Sequence, residues 1–596
     1  MNPSRMITVV FLGMSLGCSS KSASGGSGGG SAADGSTGRS QPGSGGLASG
    51  GSQPGTGGGI VASGGVSGAA GATGTGGAAV GMETGGAAVN GGGAGRGGVG
   101  AGGGPGGSVV ATGGAGGAAP ATESVLERNN HPSRDGHFLQ PTLTKARAAT
   151  LASDTGFVGT FAGSMWASPL YLQDGPGGKG LFFAVTTGNN VIALDETTGA
   201  VTWMKNIGAA PQDTGAGCGN IRPIGILSTP VIDPQSRTIY VAGAIGTTSI
   251  MRHEVHALSV DDGTETKAGW PVDVSGLTAG NLAFSVKPQN QRSALSLVGG
   301  TLYVAYGGHV GDCGNYHGWV VGINAADPTM RGAWATGGVG EGIWAAGGMA
   351  SDGNGVFAMT GNSTNGVATH MDSEQVVRLK GLATLARTNT DTYFPSTWRT
   401  MDSADADLGS SSPLVIQVPG ATPSSYVVAI SKDGHMFLLD STNLGGMNGH
   451  MVDFRVAAAG MSIHTVPAAY TTAAGVHVTF STDMGAVCPA GMPSGKVIMS
   501  VLIPPGSPPA PRVVWCAALA GNEVTAPIAT TTNGSADAIV WYMSNNKLVG
   551  VDGDTGANIV TSVDTCTGVR RWTSPIAAKG RIVVGGDGHL CSWSPH

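Results

Sequence analysis

Short apolar runs that alternate with polar residues follow one another along residues 125–596, and they end at Gly, Asn or Asp. The stretch GLFFAVTTGNNVIALDETTGAVTWMKNIG contains three such runs, separated by a Gly-Asn turn and a Thr-Gly turn. Alternation with a period of two, bounded by turn residues, predicts β-hairpins. The stretches YVVAISKDGHMFLLDSTNLGG and VWYMSNNKLVGVDGDTG repeat the pattern, and helical periodicity is nearly absent. The sequence therefore predicts an all-β domain.

A step of small residues and a proline recurs directly before an apolar run. Its prolines are Pro169, Pro230, Pro413, Pro467, Pro527 and Pro575. The gap between Pro230 and Pro413 is three times that between Pro169 and Pro230, which predicts degenerate copies near Leu295 and Gly348. Eight copies of four strands, spaced by about 60 residues, predict an eight-bladed β-propeller. The last copy has room for three strands, so the upstream segment GFVGTFAGSMW is expected to supply the fourth.

The first 124 residues differ in composition from the rest. Residues 1–18 have a basic start, a short apolar run and a final Gly-Cys, a layout typical of a secretory signal. Cys18 resembles the lipidated cysteine of a bacterial lipobox, although Ser15 replaces the usual Leu; plain secretion is the alternative. Residues 19–124 are almost entirely Gly, Ala, Ser and Thr. Such a segment buries too little surface to offset its ordering entropy, so it is predicted to be a disordered linker.

The cysteines and the charge agree with export. Lipidation of Cys18 leaves six of the seven cysteines, with no CxxC or CxxCH motif. In an oxidising compartment six cysteines favour disulfides, and neighbouring positions in the repeat scheme favour Cys218–Cys313, Cys488–Cys516 and Cys566–Cys591. The net charge is −6 without a basic patch, which argues against nucleic acid. We expect a monomeric outer-membrane lipoprotein that faces the periplasm or the cell surface.

The unit VIALDETTGAVTW resembles the repeat of quinoprotein-type propellers, whose turns read approximately ALD-x-x-TG-x-x-x-W. Longer stretches such as CGNIRPIGILSTPVID and GGHVGDCGNYHGWVVGINA are similar to a group of secreted bacterial proteins with this propeller, whose activity is largely unassigned. The resemblance covers about residues 127–596. It implies the eight-bladed quinoprotein dehydrogenase-like fold and, for a site, the mouth of the central channel.

Dehydrogenases of this superfamily bind pyrroloquinoline quinone over the channel. The stretch DADLGSSSP resembles the start of their catalytic strand at Asp405 and Asp407, with one extra residue before the proline. KDGHMFLLD resembles their quinone-contacting segment at Lys432. The resemblance implies a carboxylate base at Asp405 or Asp407 positioned by Ca²⁺, and quinone contacts from Lys432 and Trp344. Their vicinal Cys-Cys pair is missing, so no cofactor is expected outside this alternative.

The same two aspartates have a simpler interpretation. Asp often makes local hydrogen bonds that cap a turn, and Asp405 and Asp407 stand just before a predicted strand. In that case they hold the turn and carry no chemistry.

A second polar cluster is GGHVGDCGNYHGW. Its residue types can hold a metal, but no standard ligand spacing is present, so we expect a disulfide-stapled loop over the channel mouth and no metal site. Polar and aromatic groups are the usual lining of a ligand pocket, and the candidates in this loop are His309, Tyr316, His317 and Trp319. Further candidates occupy equivalent positions at blade starts: Trp166, Arg292, Trp344, His464 and Trp572.

Two classes of function follow. The favoured hypothesis is a rigid propeller on a lipid-anchored tether that acts as a platform for a protein or carbohydrate ligand. The alternative is a pyrroloquinoline quinone-dependent alcohol or sugar dehydrogenase. The missing Cys-Cys pair and the missing haem attachment motif favour the platform.

Overall fold

The structure is a computed structural model that describes residues 123–596, except 266, 367, 459, 461–462 and 522–523. Eight of its nine described sheets are blades, one for each predicted repeat, and the ninth is a two-stranded ribbon, so the prediction of an eight-bladed β-propeller is confirmed. Cys18 and the Gly-rich linker predicted over residues 19–124 lie outside the described residues, except the last two linker positions. None of the helices in the described part of the chain is long and apolar enough to cross a membrane.

The first four blades are built from consecutive antiparallel strands, in order from the channel outward. Blade 1 contains Leu170–Leu172, Leu181–Val185, Asn190–Asp195 and Val201–Asn206. Blade 2 contains Val231–Asp233, Thr238–Ile245, Arg252–Ser259 and Val272–Asp273. Blade 3 contains Ser296–Val298, Thr301–Gly308, Trp319–Asn324 and Arg331–Ala335. Blade 4 contains Ala350–Ser351, Val356–Met359, Val376–Leu379 and Thr392–Phe394.

The second half of the ring continues the pattern. Blade 5 contains Leu414–Gln417, Ser425–Ile430, His435–Asp440 and Val452–Arg455. Blade 6 contains Ala468–Thr472, Gly475–Thr482, Val497–Ile503 and Arg512–Ala518. Blade 7 contains Ile528–Thr531, Ile539–Ser544, Lys547–Asp552 and Asn558–Thr565. Blade 8 contains Ile576–Ala578, Arg581–Gly586 and His589–Pro595. The degenerate copies near Leu295 and Gly348 are the starts of blades 3 and 4.

Short elements complete the described chain. Two α-helices cover Lys145–Ala148 and Trp398–Ala404, and two 3₁₀ turns cover Pro176–Gly178 and Leu408–Ser410. Five two-residue or three-residue strands are added to the blades or pair with each other: His137–Leu139, Gln289–Asn290, Gly446–Met447, Thr278–Ala279 and Leu282–Ala283. The two α-helices have only 4 and 7 residues, which agrees with the near absence of helical periodicity in the sequence.

The Asp-x-x-x-Gly turn connects the third and fourth strands of a blade, at Asp195 in blade 1 and at Asp552 in blade 7. In blade 1, Asp195 Oδ1 accepts hydrogen bonds from the backbone N–H groups of Thr197 and Thr198 at 3.0 and 2.8 Å. In the equivalent turn of blade 2, Gly263 has φ +72°, and a Cβ there would lie 2.7 Å from the ring of Trp203 in blade 1. Gly556 in blade 7 stands in the same way against Trp515 of blade 6. The glycine therefore provides both the left-handed turn and the close contact between blades.

The ring closes through the N-terminal side of the domain, but with a strand slightly upstream of the predicted one. Leu151–Ser153 pairs antiparallel with the last strand of blade 8, at Trp593–Pro595. The predicted segment contributes only Gly159–Thr160, which pairs with His589–Leu590 of the same strand. The prediction placed the closing strand wrongly because Leu151–Ser153 is too short to show alternation.

The three predicted disulfides are present. Cys218–Cys313, Cys488–Cys516 and Cys566–Cys591 have Cα–Cα distances of 5.8, 6.0 and 6.0 Å. These distances lie in the usual range for disulfides. Such bridges form in oxidising compartments, which indicates an extracellular or periplasmic protein.

Residues 125–140, which we call the inner segment, run inside the ring and contact every blade. Their backbone or side-chain atoms bond to Tyr171, Ile232, Leu295, Ser351, Val415, Ala469, Ala529 and Gly580 of blades 1 to 8. The innermost strands would otherwise present unpaired N–H groups to the channel. Part of the segment, His137–Leu139, adds a parallel strand to blade 7. The channel therefore has a polypeptide lining of its own.

Candidate functional site

The mouth of the channel is narrowed by side chains from opposite blades. Trp344 precedes blade 4 and Trp572 precedes blade 8, yet their ring centroids are 5.9 Å apart, with the planes at 89°. Both rings remain partly exposed. The two predicted channel-facing tryptophans thus meet over the channel axis, and they form the apolar walls of the site.

Arg292, which precedes blade 3, lies against both tryptophans. Its guanidinium carbon is 5.3 Å from the centroid of Trp344 and 5.1 Å from that of Trp572. The faces of aromatic rings attract cations at such distances. Arg292 Nε donates a hydrogen bond to the carbonyl oxygen of Trp344 at 3.0 Å. The predicted ligand-lining arginine is therefore held in place by stacking and by one backbone contact.

Arg292 carries its charge without an ion-pair partner in the described part of the chain. No carboxylate lies within ion-pair distance of its guanidinium among the described residues. Burial lowers the pKa of Arg292 to about 10, and no nearby acidic group raises it. At neutral pH the side chain is still protonated, so the mouth presents a positive charge without a counter-ion.

Asp405, Asp407 and Lys432 form a compact ionic group beside Trp344. Lys432 Nζ lies 2.7 Å from Asp405 Oδ1, 2.5 Å from Asp407 Oδ2 and 5.4 Å from the centroid of Trp344. Asp407 is buried, whereas 54% of the Asp405 side chain is exposed. Burial lowers the pKa of Lys432, but the charge and hydrogen bonds of the two aspartates outweigh this effect and raise it. Lys432 is therefore a fixed cation.

The interpretation of the two aspartates as local turn caps is wrong. Asp407 Oδ1 accepts a hydrogen bond from the backbone N–H of Asn362, in blade 4, at 2.7 Å, and Asp405 ends the helix Trp398–Ala404 in a left-handed conformation. Neither carboxylate accepts a hydrogen bond from the backbone of the 3₁₀ turn Leu408–Ser410 that follows. Because Asn362 belongs to blade 4 and Lys432 to the hairpin of blade 5, Asp407 links these two neighbouring blades at the mouth.

Glu374 is a buried acid in the same region that the sequence did not reveal. Its side chain accepts a hydrogen bond from the backbone N–H of Leu408 through Oε2, and its Oε1 has no partner in the described structure. Burial, then the charge of Asp407, raises the pKa of Glu374 well above its ordinary value. Nothing in its surroundings, QVVRL after a loop, marks it as distinct from an exposed glutamate.

The rim of the mouth contains a second ionic group. His464 Nδ1 lies 3.2 Å from Asp483 Oδ2, and Arg571 pairs with the same oxygen. The guanidinium of Arg571 is 5.6 Å from the Trp572 centroid, and the His464 ring is 6.4 Å from it. His464 is thus at the mouth, as predicted, but its partner is a carboxylate of the protein. Trp166 stands at the rim under Arg570, at 5.3 Å.

The predicted lining of the disulfide-stapled loop is mostly structural. Trp319 is fully buried in blade 3 and stacks edge-on with Phe284 at 5.3 Å, so its assignment as a ligand contact is wrong. His309 is buried and bonds to the carbonyl oxygen of Lys287; burial lowers its pKa to about 4. His317 lies 3.0 Å from the carbonyl oxygen of Thr336. Trp319 is the first residue of a buried strand, so its indole packs in the apolar interface between blades 2 and 3 rather than in the channel.

Of the four candidates in this loop, Tyr316 is the one that lies within electrostatic reach of Asp405 and Asp407 at the mouth. Its hydroxyl donates to Asp312 Oδ1 at 2.7 Å. Partial burial of its carboxyl group raises the pKa of Asp312, the hydrogen bond from Tyr316 opposes this, and the charges of Asp407 and Asp405 raise it further. The loop stapled by Cys218–Cys313 therefore lies within electrostatic reach of the mouth.

The donor groups at the mouth do not meet the needs of Ca²⁺ and a quinone. Ca²⁺ takes six to eight oxygen ligands, but here an ammonium group already bridges the two carboxylates. Among the described residues, the one group of three potential ligands is Cys566, His589 and Cys591, and its cysteines form a disulfide. The rings of Trp344 and Trp572 are perpendicular, with Arg292 against both, and they offer no parallel slot. The residues at the mouth therefore do not fit a quinone with its metal.

No family model matches the chain, and no curated protein is recognisably similar in sequence. Solved structures do match. Quinohaemoprotein alcohol dehydrogenases of Pseudomonas putida HK5 and Comamonas testosteroni are 11% and 14% identical, each covering 79% of this chain and 80% of their own, with TM-scores of 0.56. A europium-containing methanol dehydrogenase is 13% identical over 79% and 89%, with a TM-score of 0.54. The fold is thus the quinoprotein-type eight-bladed propeller, as the repeat predicts.

Proposed function

We propose that the chain is an exported propeller protein that binds a small organic anion at the channel mouth. The observation that carries this proposal is Arg292, a protonated guanidinium between two partly exposed tryptophans and without a carboxylate partner among the described residues. A guanidinium binds a carboxylate through two parallel hydrogen bonds. Aromatic walls with a few convergent polar groups are the usual composition of a ligand site.

The sequence leads us to expect a protein or carbohydrate ligand, and the residues at the mouth restrict the chemical class of that ligand. The rings of Trp344 and Trp572 pack against an apolar face, and Arg292 requires an acidic group. A sugar acid combines both features, whereas a neutral sugar leaves the guanidinium without a partner. Lys432 and Arg571 add no free charge, because each is paired with an aspartate.

The experiment is a titration of tryptophan fluorescence with glucuronate, benzoate and glucose. We expect saturable quenching by the two acids and at least a tenfold loss of affinity in Arg292→Gln. Arg512→Gln, which removes an exposed charge from the outermost strand of blade 6, is the matched control and should bind as the native protein does. Acid binding that is absent, or unchanged in Arg292→Gln, contradicts the proposal.

A quinone dehydrogenase is the second candidate, because Asp405, Asp407, Lys432 and Trp344 do come together. A base must be free to accept a substrate proton, and here both oxygens of Asp407 are engaged. Incubation with pyrroloquinoline quinone and Ca²⁺ is therefore expected to give no dye reduction with alcohols or sugars. Quinone-dependent turnover that is lost in Asp407→Asn would establish the enzyme instead.

The membrane anchor is a separate part of the proposal. Its support is the short apolar segment that ends in Gly-Cys and the three disulfides of an exported domain. Cys18→Ala should release the protein from the membrane fraction and leave fluorescence binding unchanged. Membrane attachment that persists in this variant contradicts lipidation at Cys18.

A further inference from the structure

The inner segment places two arginines inside the ring, and only one of them is satisfied. Arg134 is fully buried, and its Nη1 donates to Glu127 Oε2 at 2.8 Å and to the carbonyl oxygen of Arg128 at 2.7 Å. Its Nη2 donates to the Leu295 carbonyl at 2.8 Å and to Ser296 Oγ at 2.6 Å, and its Nε to the Met349 carbonyl at 2.9 Å. All five N–H groups of Arg134 are used.

Arg128 is equally buried, with 1% of its surface exposed, but it has a single side-chain bond. Its Nε donates to Asn129 Oδ1 at 3.0 Å, and its Nη2 is buried without any partner in the described structure. The carboxylate of Glu127 is engaged by Arg134, and no other carboxylate pairs with Arg128 among the described residues. Burial, then the charge of Arg134, lowers the pKa of Arg128 to about 9, which leaves it protonated at neutral pH.

Asn129 shows where this charge lies. Its carbonyl oxygen accepts a hydrogen bond from the backbone N–H of Gly136 at 2.9 Å. Its Nδ2 donates to the carbonyl oxygen of Pro467, at the start of blade 6, and to that of Arg134, both at 3.2 Å. Asn129 therefore lies inside the ring beside blade 6, and its Oδ1 holds Arg128 Nε there.

A buried charge without a partner is very costly, so buried charges in proteins are paired or coordinated. We propose that a small monovalent anion, of the size of chloride or formate, binds Arg128 inside the channel and hydrogen-bonds to its Nη2. The complete burial of Arg128 selects a small anion over the organic acid proposed for the mouth. This site is distinct from Arg292 and does not depend on ligand binding there.

The test is thermal unfolding of the whole chain in chloride, formate or gluconate at constant ionic strength. Gluconate is too large for a buried site, so we expect the Tm to rise saturably when chloride or formate replaces it. Arg128→Gln should abolish this dependence, while the control Arg512→Gln retains it. Two results overturn the inference: a Tm of the native protein that does not depend on the anion, and a dependence that is equally large in Arg128→Gln. The variant Arg292→Gln is measured as well, and an anion dependence that is lost in Arg292→Gln but kept in Arg128→Gln also overturns it.

A second measurement covers the case in which Arg128→Gln does not fold. Crystals of the native protein grown or soaked in bromide should show an anomalous peak within hydrogen-bond distance of Arg128 Nη2. Bromide peaks at other positions, with none at Arg128, contradict the site. A response to formate without one to chloride would assign the position to a carboxylate.

Discussion

Arg134 in the inner segment and Arg292 at the mouth are buried cations of one channel, but they differ in the number of their partners. Arg134 in the inner segment uses every N–H group and has an ion-pair partner. Arg292 at the mouth makes one backbone bond and has no such partner in the described structure. A satisfied buried charge ties elements together, whereas an unsatisfied one is available to a ligand. Under the proposed function, the number of partners, rather than the type of residue, distinguishes a structural arginine from a ligand-binding one.

The strongest test of this contrast is Arg134→Met. The substitution leaves the Glu127 carboxylate unpaired and deprives the buried carbonyls of Leu295 and Arg128 of their donor. Losing one partner of a buried ion pair costs about 3–5 kcal/mol, and each orphaned acceptor adds about 1–3 kcal/mol. We expect a loss of more than about 5 kcal/mol, measured by chemical unfolding, or no folded protein. Arg292→Met should lose less than half as much; equal losses would remove the distinction.

The second test concerns Asp407, which is satisfied although it lies at the mouth. Asp407→Asn leaves Lys432 with only the exposed Asp405 and removes a charged acceptor from the Asn362 N–H group. Because the pair is buried, we expect a cost of about 2–4 kcal/mol in the free energy of unfolding. Binding of an organic acid should change little, since Lys432 remains beside Trp344. A stable variant with weaker acid binding would place Asp407 with the functional charges.

The fold could be predicted from the sequence because each blade repeats the same local chemistry. The turn after Asp195 recurs after Asp552, and the alternation of the middle strands is visible in each blade. The inner segment could not be predicted in this way. Its sequence ERNNHPSRDGHFLQ is polar and is typical of an exposed linker. Only the closed ring provides the carbonyls and N–H groups that make burial of such residues favourable.

The site could be predicted in part. Arg292, Trp344 and Trp572 lie together because repeats place equivalent residues at one end of the channel, and their role in ligand binding stays a prediction. Trp319 was wrongly included, since a tryptophan after a polar loop has no sequence signal that separates a lining residue from the first residue of a buried strand. Glu374 was missed because its burial depends on the contact of its loop with Leu408.

The third test uses pH and Glu341, a buried acid in the loop between blades 3 and 4. Burial, then the charge of Asp372, raises its pKa to about 7 from an ordinary 4.5, although the Gly338 N–H group opposes this. Its contribution to stability is fully present below about pH 4.5 and is lost as the pH rises through about 7. Glu341→Gln should therefore match the native protein at about pH 4.5 and exceed it by about 2 kcal/mol at about pH 8. Chemical unfolding at both values measures the difference, and a gap that is the same at both contradicts ionisation of Glu341.

The smallest effect is expected for Asp405→Asn, the counterpart of Asp407→Asn. Both aspartates contact Lys432 Nζ, at 2.7 and 2.5 Å, and they differ mainly in exposure. An ion pair that water can screen contributes about 1 kcal/mol or less, and Lys432 keeps Asp407 in this variant. We expect a loss below about 1 kcal/mol that shrinks further at high salt, measured by chemical unfolding in low and high NaCl. A loss as large as that of Asp407→Asn would mean that exposure does not decide how strongly these charges stabilise the fold, and the contrast between satisfied and available groups would then need a different physical basis.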